Sequence, residues 1–174
     1  MGSILDSRDR WGETVSLRDR VGEAVERWIG GDEAVLEALV ADRSGTVRFL
    51  LGMTYRDDEA RRRAAARGLA LAARHHPKLI REVVRRLIWA MNDESGTNAL
   101  SAPDVLFAIA EEEPELLLPV VPDMTRLSTD AGLQDGLRKT LERVSTACPG
   151  EVGDRIARSL TEPRPGGPRW DRDR

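Results

Sequence analysis

Cysteine occurs once in the 174 residues, as Cys148. A lone thiol excludes an internal disulfide and any metal site built from several thiolates, and it leaves Cys148 to act as a small, buried or half-buried hydrophobe. Aromatic residues make up only 4% of the chain and β-branched runs are few, which argues against a sheet protein. No apolar run approaches the roughly 18 residues that a membrane-spanning helix needs. The opening stretch MGSILDSRDRW lacks the apolar core of a signal peptide. It begins Met-Gly, but Asp6 stands where a myristoylation signal has Ser or Thr. A soluble, cytoplasmic protein is the expectation.

What the chain does have is helix-forming composition. It is 40% hydrophobic and 33% charged, and alanine, leucine, arginine and glutamate dominate. Its length suffices for one domain with a real core. Residues 1–12 carry charge without apolar period and are expected to form a flexible leader. Residues 13–161 are expected to form a single helical domain, and 162–174, ending PRPGGPRWDRDR, a disordered tail.

The pattern predicts a first helix from Glu13 to Ile29, with Val15, Val21, Val25, Trp28 and Ile29 facing inward. Gly30-Gly31 stops it, and Asp32 is placed to cap the next. A short pair follows, Asp32 to Ala41 and Thr46 to Tyr55, broken at Asp42-Arg43-Ser44-Gly45. The central pair spans Asp57 to Asn92 and turns at His76-Pro77, with Pro77 in the first turn of the second helix. That helix carries Leu79, Val83 and Leu87 at four-residue steps, widened by Ile80, Val84 and Ile88. Val83 and Leu87 should be almost fully buried. Trp89 is read as lying on the apolar side of its helix, in the core. A third pair has its first helix ending near Glu113 and its second running from Pro114 to about Ser128. Pro103 leaves two starts open for that first helix: after Ser101, where Ser-Ala-Pro-Asp resembles a capping box, or near Thr97 with a kink. A fourth pair spans Ala131 to Ala147 and Gly150 to Leu160.

The pairs repeat in register. Pro77, Pro114 and Pro149 fall at successive corners, 37 and 35 residues apart, and Asp57, Asp93 and Asp130 at the joints, 36 and 37 apart. A two-helix unit recurring at this spacing points to an all-α solenoid of about four helix pairs with an N-terminal capping helix. An irregular bundle is the alternative.

The stretch Asp57–Leu69, DDEARRRAAARGL, resembles the start of a HEAT repeat, particularly the short HEAT-like units of the phycobilin-lyase type. The likeness is sharp over Asp57–Leu71 and extends as pattern over Asp32–Leu160. Trp89–Gly96, WAMNDESG, is similar to a segment of small bacterial HEAT-like proteins. The resemblance implies a right-handed α-α superhelix, armadillo-like in architecture, that binds other macromolecules; it implies no catalytic activity, most members being scaffolds.

Charge is sorted along the sequence. Arg56 to Arg86 contains ten Lys or Arg against four Asp or Glu, whereas Asn92 to Asp123 contains eight acidic residues and no Lys or Arg. Such blocks serve either as solvated faces or as surfaces that dock an oppositely charged protein or a second copy of the chain. Arg63, Arg67 and Arg74 share one helix stripe; Lys78, Arg81 and Arg85 form another on the next helix. With Asp93 and Glu94 in the polar joint Asn92–Asn98, they make the candidate binding set for a protein partner. That joint has a plainer reading, in which Asp93 caps the following helix. The alternative function is nucleic-acid binding through residues 56–86. Some HEAT-like DNA glycosylases use tryptophans and an aspartate, and Trp89 and Asp93 stand one turn apart; the acidic block argues against a duplex there. No catalytic residue, cofactor or metal is expected. His75 and His76 are adjacent and diverge, and neither is followed by the Glu that HEAT-like di-iron hydroxylases use. Glu111-Glu112-Glu113 is read as a solvated helix end.

Overall fold

A computed structural model describes residues 15–92 and 101–161. Among them every regular element is helical. In chain order these are α1 (Leu17–Ile29), α2 (Glu33–Asp42), α3 (Thr46–Met53), α4 (Glu59–His75), α5 (Pro77–Asn92), α6 (Ala102–Glu112), a 3-10 segment Pro114–Val120, α7 (Val121–Leu127), α8 (Gln134–Ala147) and α9 (Glu151–Thr161). None is long and apolar enough to cross a membrane. The expected leader, the tail and most of the Asn92–Asn98 joint, including Asp93 and Glu94, lie outside the described residues.

The three proline corners fall where the sequence places them. Pro77 opens α5, Pro114 opens the 3-10 segment, and Pro149 sits between α8 and α9. Each lacks the N–H that a continuing helix needs, and each tolerates a first turn. The first helix stops by a different device. Gly31 adopts a positive φ of 98°, its N–H donates to the Trp28 carbonyl and that of Asp32 to the Arg27 carbonyl. Glycine alone enters that backbone region without strain.

The helix α4 is the centre of the packing, touching α1, α2, α3, α5 and α6. Its alanines explain why: Ala64, Ala65, Ala66, Ala70, Ala72 and Ala73 are all buried, and small side chains let neighbours approach on several sides. From there α6 packs on α4 and α8 packs on α6, while α5 packs on the 3-10 segment and α7. Gly136 of α8 lies so near Pro103 of α6 that a Cβ on it would stand 2.5 Å from the Pro103 Cβ.

The α5 core stripe is Ile80, Val83, Val84, Leu87, Ile88 and Met91, so Val83 and Leu87 are buried as expected. Several expectations need correction. Trp89 is 71% exposed, because at 100° per residue it stands about 180° around the helix from Ile80. Leu79 is 38% exposed, at the edge of the stripe, and Ile29 is 39% exposed. Asp32 occupies the cap position of α2 without capping it: its carboxylate instead accepts from Arg27 Nε at 3.1 Å. Of the two starts left open for α6 the one after Ser101 is found, with the helix beginning at Ala102 and Pro103 in its first turn, but the Ser101 side chain makes no cap bond. The expected single helix from Pro114 to Ser128 divides in two. Pro119 and Pro122 cannot donate to an α ladder, so the chain runs as 3-10 turns before α7.

Candidate functional site

The two basic stripes have different fates. On α4, Arg67 and Arg74 turn towards α6, where both guanidiniums donate to the carboxylate of Glu112. The Glu112 side chain is 9% exposed, so the sequence reading of a solvated acidic end fails at this residue. Arg74 reaches Glu37 of α2 as well, at 3.3 Å. One carboxylate from the acidic block thus closes against two cations from the basic block. Burial pushes the Glu112 pKa up, but the bond and charge of Arg67, with those of Arg74, outweigh it and hold the group below the ordinary glutamate range. Arg67, Arg74 and Glu112, which look like parts of two surfaces in sequence, are thus paired with one another across the helices.

Other α4 arginines are also engaged. Arg63 pairs with Glu59 one turn away, and Arg61 Nε meets Glu26 of α1 at 2.7 Å. Arg62 donates to the backbone carbonyls of Arg56 and Asp57 at 2.9 and 2.7 Å. Arg63, Arg67 and Arg74, expected to bind a partner, therefore contact the chain's own carboxylates.

The α5 stripe remains outward. Lys78, Arg81, Arg85 and Arg86 are all exposed. Arg85 pairs with Glu82 on the same helix, and the other three form no ion pair with any described residue. Trp89 lies one turn beyond Arg85 and Arg86, and Leu79 flanks the same face. Sixteen residues of helix make this face about 24 Å long. It brings together three of the expected binding residues, Lys78, Arg81 and Arg85. It adds Arg86 and Trp89, which the sequence reading did not select. Helical phase alone would have found Trp89: at 100° per residue it stands about 180° from Ile80, opposite the middle of the core stripe.

A cleft of about 430 Å³ opens between α1, α4 and α6. Trp28, Arg62, Arg67, Asp104, Phe107 and Glu111 are among its walls, and the Trp28 indole nitrogen is buried without a hydrogen-bond partner. The histidine pair contributes no chelating arrangement: the rings are 6.4 Å apart and tilted by 56°, and His76 Nε2 is 2.8 Å from the Val40 carbonyl. Among the described residues no group of three His, Cys, Asp or Glu side chains is placed to hold a metal ion.

No protein-family model, curated protein or solved structure matches this chain.

Proposed function

We propose that the chain is a non-catalytic protein-binding module, a HEAT-like solenoid of stacked helix pairs that docks an acidic partner through the outward face of α5. The solenoid reading is supported by the order of packing, in which each pair lies chiefly against its sequence neighbours. The observation that carries the function is the contrast between the two stripes. On α4, Arg67 and Arg74 close on Glu112 and Glu37 and Arg61 on Glu26 across helices, whereas Lys78, Arg81 and Arg86 project from α5 with no ion-pair partner among the described residues. Unspent charge on an exposed helix face raises the rate of encounter with an oppositely charged surface and disfavours like-charged ones.

Arg81→Glu combined with Arg85→Glu tests this. Both residues are exposed, so the variant should fold. Association with a Glu-rich peptide, followed by surface plasmon resonance, should slow in the variant, and added salt should slow wild type likewise. A duplex gel-shift on the same pair of proteins examines the alternative. Tight duplex binding near physiological salt, steeply salt-dependent and abolished by the double substitution, would replace the protein-binding reading with a nucleic-acid one. Concentration-dependent sedimentation that salt reverses would identify the acidic partner as a second copy of the chain.

A further inference from the structure

We propose that the partner element recognised by α5 is an acidic amphipathic segment of another protein, seated with an apolar side chain on Trp89 and with carboxylates along Lys78, Arg81 and Arg86. This rests on the protein-binding reading and adds to it what kind of segment fits. A purely electrostatic surface has no use for an exposed indole, yet Trp89 is the most exposed large hydrophobic residue of the described chain. Its place on the helix matters. Trp89 stands on the mid-line of the outward face near the C-terminal end of α5, one turn from Arg85 and Arg86, with Arg81 two turns away and Lys78 three. Leu79 extends the apolar surface at the opposite end, beside Lys78. An occupant therefore meets an aromatic anchor at one end, the cations Lys78, Arg81 and Arg86 around the Arg85–Glu82 pair along the middle, and a second apolar contact at the other. Tryptophan and arginine are the side chains that most often dominate the energy of protein interfaces.

The shape of the charge distribution chooses among anionic occupants. The basic face is short: Lys78 to Arg86 spans about 12 Å of helix. The 3-10 segment and α7, packed on α5, add Glu115 and an Asp123–Arg126 pair, and the whole chain has a formal charge of −3. A planar anionic membrane or a long duplex extends beyond α5 over a chain whose net charge is negative. A short acidic segment stays within the basic face.

Two synthetic 16-residue peptides of equal Glu content provide the test, one with leucines at helical spacing and one with serines in their place. They are titrated into the full chain, and Trp89 emission is taken as the difference between wild type and Trp89→Phe. The leucine peptide should bind about ten- to a hundredfold more tightly than the serine peptide, with a blue shift from Trp89. Trp89→Ser should remove most of that preference without unfolding the protein, since the residue is exposed. If both peptides bind wild type equally and Trp89 emission stays put, the amphipathic segment is wrong and the electrostatic docking reading survives. If neither binds, both readings fall. The same holds if the chain instead captures phosphatidylglycerol vesicles or duplex DNA more tightly than the leucine peptide.

Discussion

Replacing Glu112 by Gln removes the carboxylate that ties Arg67 and Arg74 of α4 to the end of α6. The residue closes α6, where the helix dipole disfavours a carboxylate, and it is largely buried, which disfavours any charge. It is tolerated because Arg67 and Arg74 both donate to it. Glutamine keeps the shape and one acceptor oxygen, but its amide turns a donor towards a guanidinium. Losing a hydrogen bond to a charged group in such a place costs about 1.5–3 kcal/mol. The arginine side chains are 33% and 44% exposed and can turn to water, which favours the lower part of that range. For a domain of this size the loss corresponds to a fall in Tm of about 3–12 °C, read by circular dichroism at neutral pH. The pH dependence is sharper evidence than the magnitude. The folded-state pKa of Glu112 lies below its unfolded value, so its stabilisation is complete at neutral pH. It should be lost as pH falls below about 4.3 and on through the lowered folded value. The gap in Tm between wild type and Glu112→Gln should therefore narrow on acidification. Equal melting at pH 7, or a gap that persists unchanged at pH 3.5, would refute the assignment of the Arg67–Glu112–Arg74 cluster as a stabilising tie.

Leu87→Ala should cost about 2–5 kcal/mol in urea unfolding, because Leu87 is 1% exposed and its removal leaves a cavity between α5 and its neighbours; a midpoint within error of wild type would show the α5 face is wrongly assigned. Gly22→Ala should stabilise α1 by about 0.4–1 kcal/mol, since a Cβ there meets nothing within 4 Å. Gly136→Ala should destabilise by about 1–3 kcal/mol as α8 is forced off Pro103, and the two opposite signs in one melting series check the α6–α8 contact. Burial and the charge of Glu115, offset in part by Arg143, push the Cys148 thiol above its ordinary value. Its alkylation at pH 8 should be slower than that of a free cysteine peptide, because the thiolate is the reacting form; a rate equal to the peptide's would contradict that environment.

The sequence by itself determined the helices, their corners and most of the buried stripe. Apolar periodicity is a local property, and a proline excludes itself from a helix interior whatever surrounds it. Thus Pro77, Pro114 and Pro149 marked real breaks, and Ile80, Val83, Val84, Leu87 and Ile88 marked a real core face. Where several prolines crowd together, as at Pro114, Pro119 and Pro122, the choice between 3-10 and α turns escaped the reading. The candidate site divides along a different line. Lys78, Arg81 and Arg85 were legible as an outward stripe because their surroundings lie on their own helix. Trp89 was misplaced by judging its residue type before its angle around that helix. Arg67 and Arg74 belong to a third kind, since their partner Glu112 lies 45 and 38 residues away. No periodicity encodes which cation meets which carboxylate across packed helices. Only the tertiary structure decided that, by bringing the end of α6 against α4 and leaving the charges of α5 facing out.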